Sequence, residues 1–420
     1  MKHRYPPTFP QRQRQRGAGT LIVVMVLFFV MSLVAAYASR NMIFEQKTSA
    51  NQYRSTQAFE VAQAGVEWAL AMLNGGRVND FCVPNAGGTS FRDRYLTISA
   101  AGVIQPGGAK PDHVMCVRTD TGWSCSCPAA GSPVLSVAAP GFRLLFLPAA
   151  TADRPNLLKL RSIGCTNLAA NCQGDGATAT GSNAIAQVFA VVGLKGAIST
   201  PPAAALTAGG TVNVNGAGMT VVNTDPLANG TTIDARGLVT DVGLVLRTTP
   251  GAPSAGSFIS NDSAVPATAN LLFASVFGMK QATYREQPAT IVLTCPADCG
   301  ATAIQNLVLK NPGRTLWLEG DVDFNAAVDI GSPTSPVAIV VHGDLTASTT
   351  PVNIYGLVYN YNALGGWVPV GSPLIQGAAI AEGNLTGTGT PTIVYDRDIL
   401  NRLRLASGSF VRVPGGWRDF

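Results

Sequence analysis

The stretch Arg16-Gly-Ala-Gly-Thr-Leu-Ile-Val-Val-Met-Val-Leu-Phe-Phe-Val-Met-Ser-Leu-Val-Ala-Ala-Tyr-Ala-Ser-Arg40 decides how this chain is read. From Gly17 to Ser39 it runs 23 residues without a charge. At the rise of an α-helix that run reaches roughly 34 Å, enough to cross the hydrocarbon core of a bilayer. Arg12, Arg14 and Arg16 crowd in front of it. Basic flanks stay cytoplasmic, so a single pass is expected, with the bulk of the chain beyond Arg40 outside the cytoplasm.

A cleaved secretory signal peptide is the competing reading, but its apolar region is shorter and gives way to a loop after a small-residue cleavage site. Here the helical pattern continues. Asn41 to Leu73 contains no proline and a single glycine, Gly65. Phe59, Ala62, Val66, Leu70 and Leu73 recur at helical spacing, with Glu60, Gln63, Glu67 and Asn74 off that stripe, and Gly75-Gly76 stops the helix. The spacing predicts one long helix, apolar in its first half and amphipathic in its second, with its amphipathic half under a globular head.

This pattern resembles the type IV pilins. The resemblance is carried by the basic segment ending in Arg16-Gly17, the apolar helix Ala18 to Ala38 and the alanine-rich Ala58-Phe-Glu-Val-Ala-Gln-Ala-Gly65. The opening Gln15-Arg-Gly-Ala-Gly-Thr-Leu-Ile-Val-Val24 is most similar to PilX-type minor pilins. The likeness is specific over about residues 12 to 74. It implies a prepilin leader over residues 1–17, cut after Gly17 by a membrane peptidase so that Ala18 becomes the N-terminus, with Gly19 the alternative cut. It also implies an inner-membrane precursor whose apolar helix then enters a fibre, with other minor pilins and the major pilin as partners. Most pilins carry a glutamate five residues into the mature chain, and here that position is Ile22. A carboxylate in hydrocarbon is tolerated only against a cationic partner, in the family the amino terminus of the preceding subunit. Its absence, shared by tip-located minor pilins and by K-type pseudopilins of type II secretion, points to a tip or initiation role.

Of the formal charge of +5, the leader residues Lys2, Arg4, Arg12, Arg14 and Arg16 supply all, so the processed chain is neutral. Basicity is therefore a targeting signal, and nucleic acid is not an expected partner. With 45 Gly, 27 Pro and 13% charged residues, the ectodomain reads as short strands and many turns. Cys82, Cys116, Cys125, Cys127, Cys165, Cys172, Cys295 and Cys299 are even in number and exported, which argues disulfides. Cys165 with Cys172 and Cys295 with Cys299 can close short loops, and the other four pair among themselves in an open connectivity. Cys125-Ser-Cys127 and Cys295-Pro-Ala-Asp-Cys299 are poor zinc ligands, since only His113 and His342 lie outside the leader.

The expected fold class is α+β, in four segments: leader 1–17; helix 18–74, membrane-spanning over 18–39; a pilin-like antiparallel β head over 75–199; and a Gly/Asn-rich β domain over 200–420. Phe142-Arg-Leu-Leu-Phe-Leu147, Leu157-Leu-Lys-Leu160 and Ala186-Gln-Val-Phe-Ala-Val-Val192 read as head strands. Thr200-Pro-Pro-Ala-Ala-Ala-Leu-Thr207 reads as a linker. Beyond it Leu318-Glu-Gly-Asp-Val-Asp-Phe324, Val341-His-Gly-Asp-Leu-Thr-Ala347 and Ala381-Glu-Gly-Asn-Leu-Thr-Gly387 repeat one theme, an apolar strand and then a Gly-Asp or Gly-Asn corner. Their glycines fall 23 and 40 residues apart, about one and two units of a β-solenoid. A conventional sandwich is the alternative.

Catalytic signatures are missing: no phosphate loop, no Gly-x-Ser-x-Gly elbow, no His-Glu-x-x-His. Asp321 and Asp323 fall on one strand face, as a general base or calcium site requires, but no dense acidic loop surrounds them and corner hydrogen bonding explains them better. Asp396 and Asp398 read as turn or cap residues. No metal, cofactor or catalytic residue is expected. The leading reading is a structural minor pilin that helps initiate a pilus and sits at its tip, displaying an adhesive domain toward a host-surface or glycan ligand. A K-type pseudopilin and a surface-anchored carbohydrate-acting enzyme follow. Tyr355, Tyr359, Tyr361 and Trp367 are the aromatics available for stacking on sugars.

Overall fold

The computed structural model describes residues 18–85, 87–107, 114–135, 137–151, 154–168, 172, 183–215, 218–240, 242–296, 299–346, 352–361, 371–387 and 389–418. The leader, Gly17, His113 and Trp367 therefore lie outside the described residues. The architecture is α+β, a long apolar N-terminal helix followed mainly by strands. Contacts divide it into two units, one ending at Gln57 and the other running from Ala58.

Helix α1 spans Ala18–Leu73. Its interior is free of proline and rich in Ala, Leu, Met and Val, and it ends where Gly75 donates to the Met72 carbonyl at 3.0 Å. In the second unit the residues of α1 that enter the core are Ala58, Ala62, Val66, Ala69 and Leu73. Three of the five expected stripe residues are among them, while Phe59 and Leu70 are only partly buried. Small residues win because the helix lies almost on a sheet backbone. A Cβ added at Gly164 would sit on the Ala58 carbonyl, and one at Gly65 would meet the Ser162 hydroxyl and the Phe142 ring. Asn74, expected on the polar side, is buried. Its amide donates to the Phe410 carbonyl at 2.8 Å and accepts from the Phe410 N–H at 2.8 Å.

That sheet has six antiparallel strands, ordered Gly408–Arg418, Ile185–Gly196, Leu157–Cys165, Gly141–Pro148, Val114–Thr119, Gly122–Ser126. All three head segments anticipated from the sequence are in it. The surprise is its edge strand: Gly408–Arg418 comes from the far end of the chain and pairs with Ile185–Gly196, Phe410 opposite Leu194. The short helix α2, Phe91–Tyr95, is capped by Ser90, whose hydroxyl accepts from the Asp93 N–H at 3.0 Å.

Beyond residue 200 the described pairings among strands up to Tyr395 are all parallel. Thr315–Glu319 matches Val337–His342 residue for residue, and past the Gly-Asp corners Val322 matches Leu345. The corner glycines follow from that stacking. Gly320 has φ +118°, and a Cβ on Gly343 would collide with the Gly320 carbonyl above it. The third copy of the motif stacks differently, its Leu385 beside Val212. The main parallel sheet runs Leu244–Arg247, Met219–Val222, Thr392–Tyr395, Leu374–Ala381, Asn353–Asn360, Val337–His342, Thr315–Glu319, Thr290–Thr294. Leu206–Ala208, which opens the stack, lies against Leu374–Ala381 near its close. The end of the expected linker belongs to this core: Ala204, Ala205 and Leu206 are buried, because alanines fit a narrow coil interior.

The coil interior is filled by Val, Ile, Leu and Ala. The outer face of the main sheet is covered by α3, Ala269–Phe277, α4, Gln281–Arg285, and α6, Arg397–Leu405, while α5, Ala301–Lys310, packs on the coil interior's own cluster. Phe273 and Phe277 of α3 stack at 4.2 Å between centroids and meet Tyr284 and Tyr359 edge-on.

Candidate functional site

The first unit carries the clearest unexplained surface. Ile22 is 61% exposed, and Leu21, Val24, Phe28, Phe29 and Met31 are open in the same way. Exposed apolar surface of this extent marks a membrane or a protein contact. Two serines within the run are satisfied inside the helix: the Ser32 hydroxyl donates to the Phe28 carbonyl and the Ser39 hydroxyl to the Ala35 carbonyl, both at 2.8 Å. From Ala18 through Phe44 the helix has no carboxylate, and the first acid is Glu45. Arg40 closes the run, its guanidinium 5.6 Å from the Phe44 ring centroid. Ala18 is the first residue of α1, and Gly19, the alternative cut, lies within it. By length and composition this helix is able to cross a membrane.

All eight cysteines are bridged, as Cys82–Cys127, Cys116–Cys125, Cys165–Cys172 and Cys295–Cys299. Cys116 and Cys125 stand directly opposite on adjacent antiparallel strands. Cys295–Cys299 closes the corner after Thr290–Thr294, at the end of the stack. The cysteines weighed as zinc ligands are thus all in disulfides, and among the described residues no three metal-ligating side chains gather.

The acids weighed for catalysis serve corners and caps. Asp321 accepts from the Asp344 N–H at 2.8 Å, in the next copy of the repeat. Asp396 caps α6, accepting from the Asp398 and Ile399 N–H groups at 3.0 and 3.1 Å, and receives the Gln376 amide at 2.9 Å. Asp323 is half-buried and not without an interaction partner. The tyrosines divide. Tyr359 is fully buried, Tyr361 stacks on His342 at 4.7 Å, and Tyr355 is half-buried.

Two charged sites escaped sequence reasoning. Glu382, in the third copy of the repeat, is 6% exposed. Its Oε1 accepts from the Tyr359 hydroxyl at 2.8 Å and the Gln281 amide at 2.9 Å, and its Oε2 has no partner. Burial pushes its carboxyl up to about 7, against these two hydrogen bonds, which lower it. The residue in the matching place on the first copy, Glu319, is held down by hydrogen bonding from Arg285 at 2.6 Å. A raised and a lowered carboxylate form the pair an acid–base hydrolase uses. These two are three strand steps apart, roughly 14 Å, beyond the span of glycosidase carboxylates. The corner motif announces a glutamate but not which helix covers it, so the sequence held no signal for its burial. The second site surrounds the buried Arg92.

Residues 16–67 match the family model described as PilX N-terminal, so the chain carries a type IV pilin-like N-terminal segment. No curated protein matches. Among solved structures, the competence-associated pilin ComZ from Thermus thermophilus aligns over 87% of this chain and 98% of that one, at 11% identity and a TM-score of 0.22. Pilin likeness fits a structural role, association with other pilus components and a membrane-anchored helix that ends up in a pilus.

Proposed function

We propose that this chain is a minor pilin that helps initiate a type IV pilus and resides at its tip. The observation that carries the reading is Ile22. A subunit without a carboxylate in its apolar helix has no group to neutralise a neighbour's amino terminus in hydrocarbon, so it cannot dock beneath another subunit. It can still be docked upon, through the exposed apolar surface from Leu21 to Val34. Such a subunit begins a fibre and is not repeated along it. Its partners are then other minor pilins and the major pilin, and a prepilin peptidase in the inner membrane cuts after Gly17. The parallel coils form a β-solenoid carried outward at the tip as an adhesive module. The same Ile22 supports a second reading, a K-type pseudopilin of type II secretion.

Immunogold labelling of pili tests the proposal. Label confined to tips, with fewer pili after deletion of the gene, is the expected result; even label along the shaft overturns it. Pili unchanged by the deletion with secretion abolished assigns the pseudopilin instead. Ile22→Glu is the complementary variant, and spread of label into the shaft identifies the missing carboxylate as the restriction.

A further inference from the structure

A polar cavity of about 270 Å³ opens between α2, the Pro312-Gly313 turn, the Thr334-Ser335 turn and the end of α6. Arg92 and Arg402 face it, with Asp93 as the acid on its wall. Arg92 is 4% exposed. Its Nη2 donates to the Gly408 carbonyl at 2.6 Å and its guanidinium lies 5.0 Å from the Phe410 ring centroid. Its Nε and Nη1 have no partner. Nη1 lies against Gly313, where an added Cβ would be 3.1 Å away, so the turn packs this closely on the guanidinium because the residue is glycine.

Behind Arg92 lies a second buried guanidinium. Arg314 is 3% exposed, donates from Nη2 to the carbonyls of Leu73 and Gly75, and leaves Nη1 without a partner. Burial first and the charge of Arg92 second pull it down to about 9, against a raising influence from Asp93. Arg92 is itself lowered to about 10 by burial, against a raising influence from Asp93. Arg402 is half-buried, its carbonyl accepts from the Ala406 N–H at 2.7 Å, and its guanidinium has no hydrogen bond or ion pair among the described residues. Buried donors without acceptors and neighbouring like charges are both costly, and folds keep them where something completes them. Three guanidiniums against one exposed carboxylate leave an excess of positive charge around a cavity rimmed by the hydroxyl residues Thr334, Ser335 and Ser407.

We infer that this cavity binds a small oxyanion, the carboxylate or phosphate of a ligand about the size of one acidic sugar. Guanidinium groups hold both oxyanions through paired N–H donors, and the rim hydroxyls suit a hydroxyl-rich body. Nothing in this depends on the pilus reading, because binding is measured on the purified chain.

The test uses the full-length protein in a neutral detergent at low salt, titrated with glucuronate, inorganic phosphate and, as the uncharged control, glucose. Calorimetry is expected to give saturable one-site binding of at least one anion and none of glucose. Phosphate alone assigns a phosphorylated ligand; glucuronate, with or without phosphate, assigns an acidic sugar. Arg402→Ala removes a half-buried guanidinium, and Ser335→Glu places a negative charge on an exposed turn, so neither disturbs the core. Each should weaken binding at least tenfold. Saturation by neither anion, or unchanged binding in both variants, overturns the inference.

Discussion

Glu382 makes the stability of this protein depend on pH in an unusual direction. An ordinary glutamate in the unfolded chain ionises near 4.5, whereas the folded Glu382 holds its proton to about 7. The folded state therefore binds more protons than the unfolded state between those values, and stability falls as pH rises through the window. At 1.36 kcal/mol per unit, the difference amounts to about 3 kcal/mol at most across it. Asp234, raised to about 6 by burial and by Asp262, acts in the same sense, so the clean measurement is a difference between proteins. Glu382→Gln keeps an acceptor for Tyr359 and Gln281 and removes the titration. Urea unfolding of the full-length chain in detergent, followed by tryptophan fluorescence from pH 4 to 8, should show parent and variant diverging. The variant should gain about 2–3 kcal/mol relative to the parent between the two ends. A constant difference, or one of opposite slope, would refute the argument that burial dominates at Glu382.

Asn74→Ala should cost about 2–4 kcal/mol, because the buried Phe410 N–H and carbonyl both lose their partner. Hydrogen exchange should show Gly408–Arg418 opening first, and unchanged protection there would count against the clamp. N-terminal sequencing of the membrane-fraction protein should begin at Ala18, and an intact Met1 or a start beyond Ala38 would defeat the expected processing.

Legibility followed the range of the interactions. The helix through Leu73 was plain because helical spacing is local, and the Gly-Asp corners were plain because only glycine fits where one backbone stacks on the next, as at Gly320 and Gly343. The buried Ala58 and Ala69 are less legible than Phe59 and Leu70, since hydrophobicity ranks side chains by size, while the close approach of Gly164 to Ala58 and Ala62 leaves room only for small ones there. Asn74 and Gly408–Arg418 were invisible for a related reason. Each satisfies the other across more than three hundred residues of intervening chain, and no local pattern records a distant partner. The Arg92 cavity was hidden likewise, assembled from α2, two turns and α6.

The order of the coils bears on how the chain is made. Leu206–Ala208 and Ile233–Ala235 are threaded out early, yet the strand that covers the other side of Leu206 is Leu374–Ala381, among the last to emerge. Meanwhile Thr290–Thr294 begins a second run at the opposite end, and this run grows back toward the first. The two runs therefore join edge to edge only once Leu374–Ala381 has been made. Until then each half presents a bare row of strand amides and carbonyls, the surface most prone to capture by another chain. Closure of the sheet on itself is therefore what removes that surface.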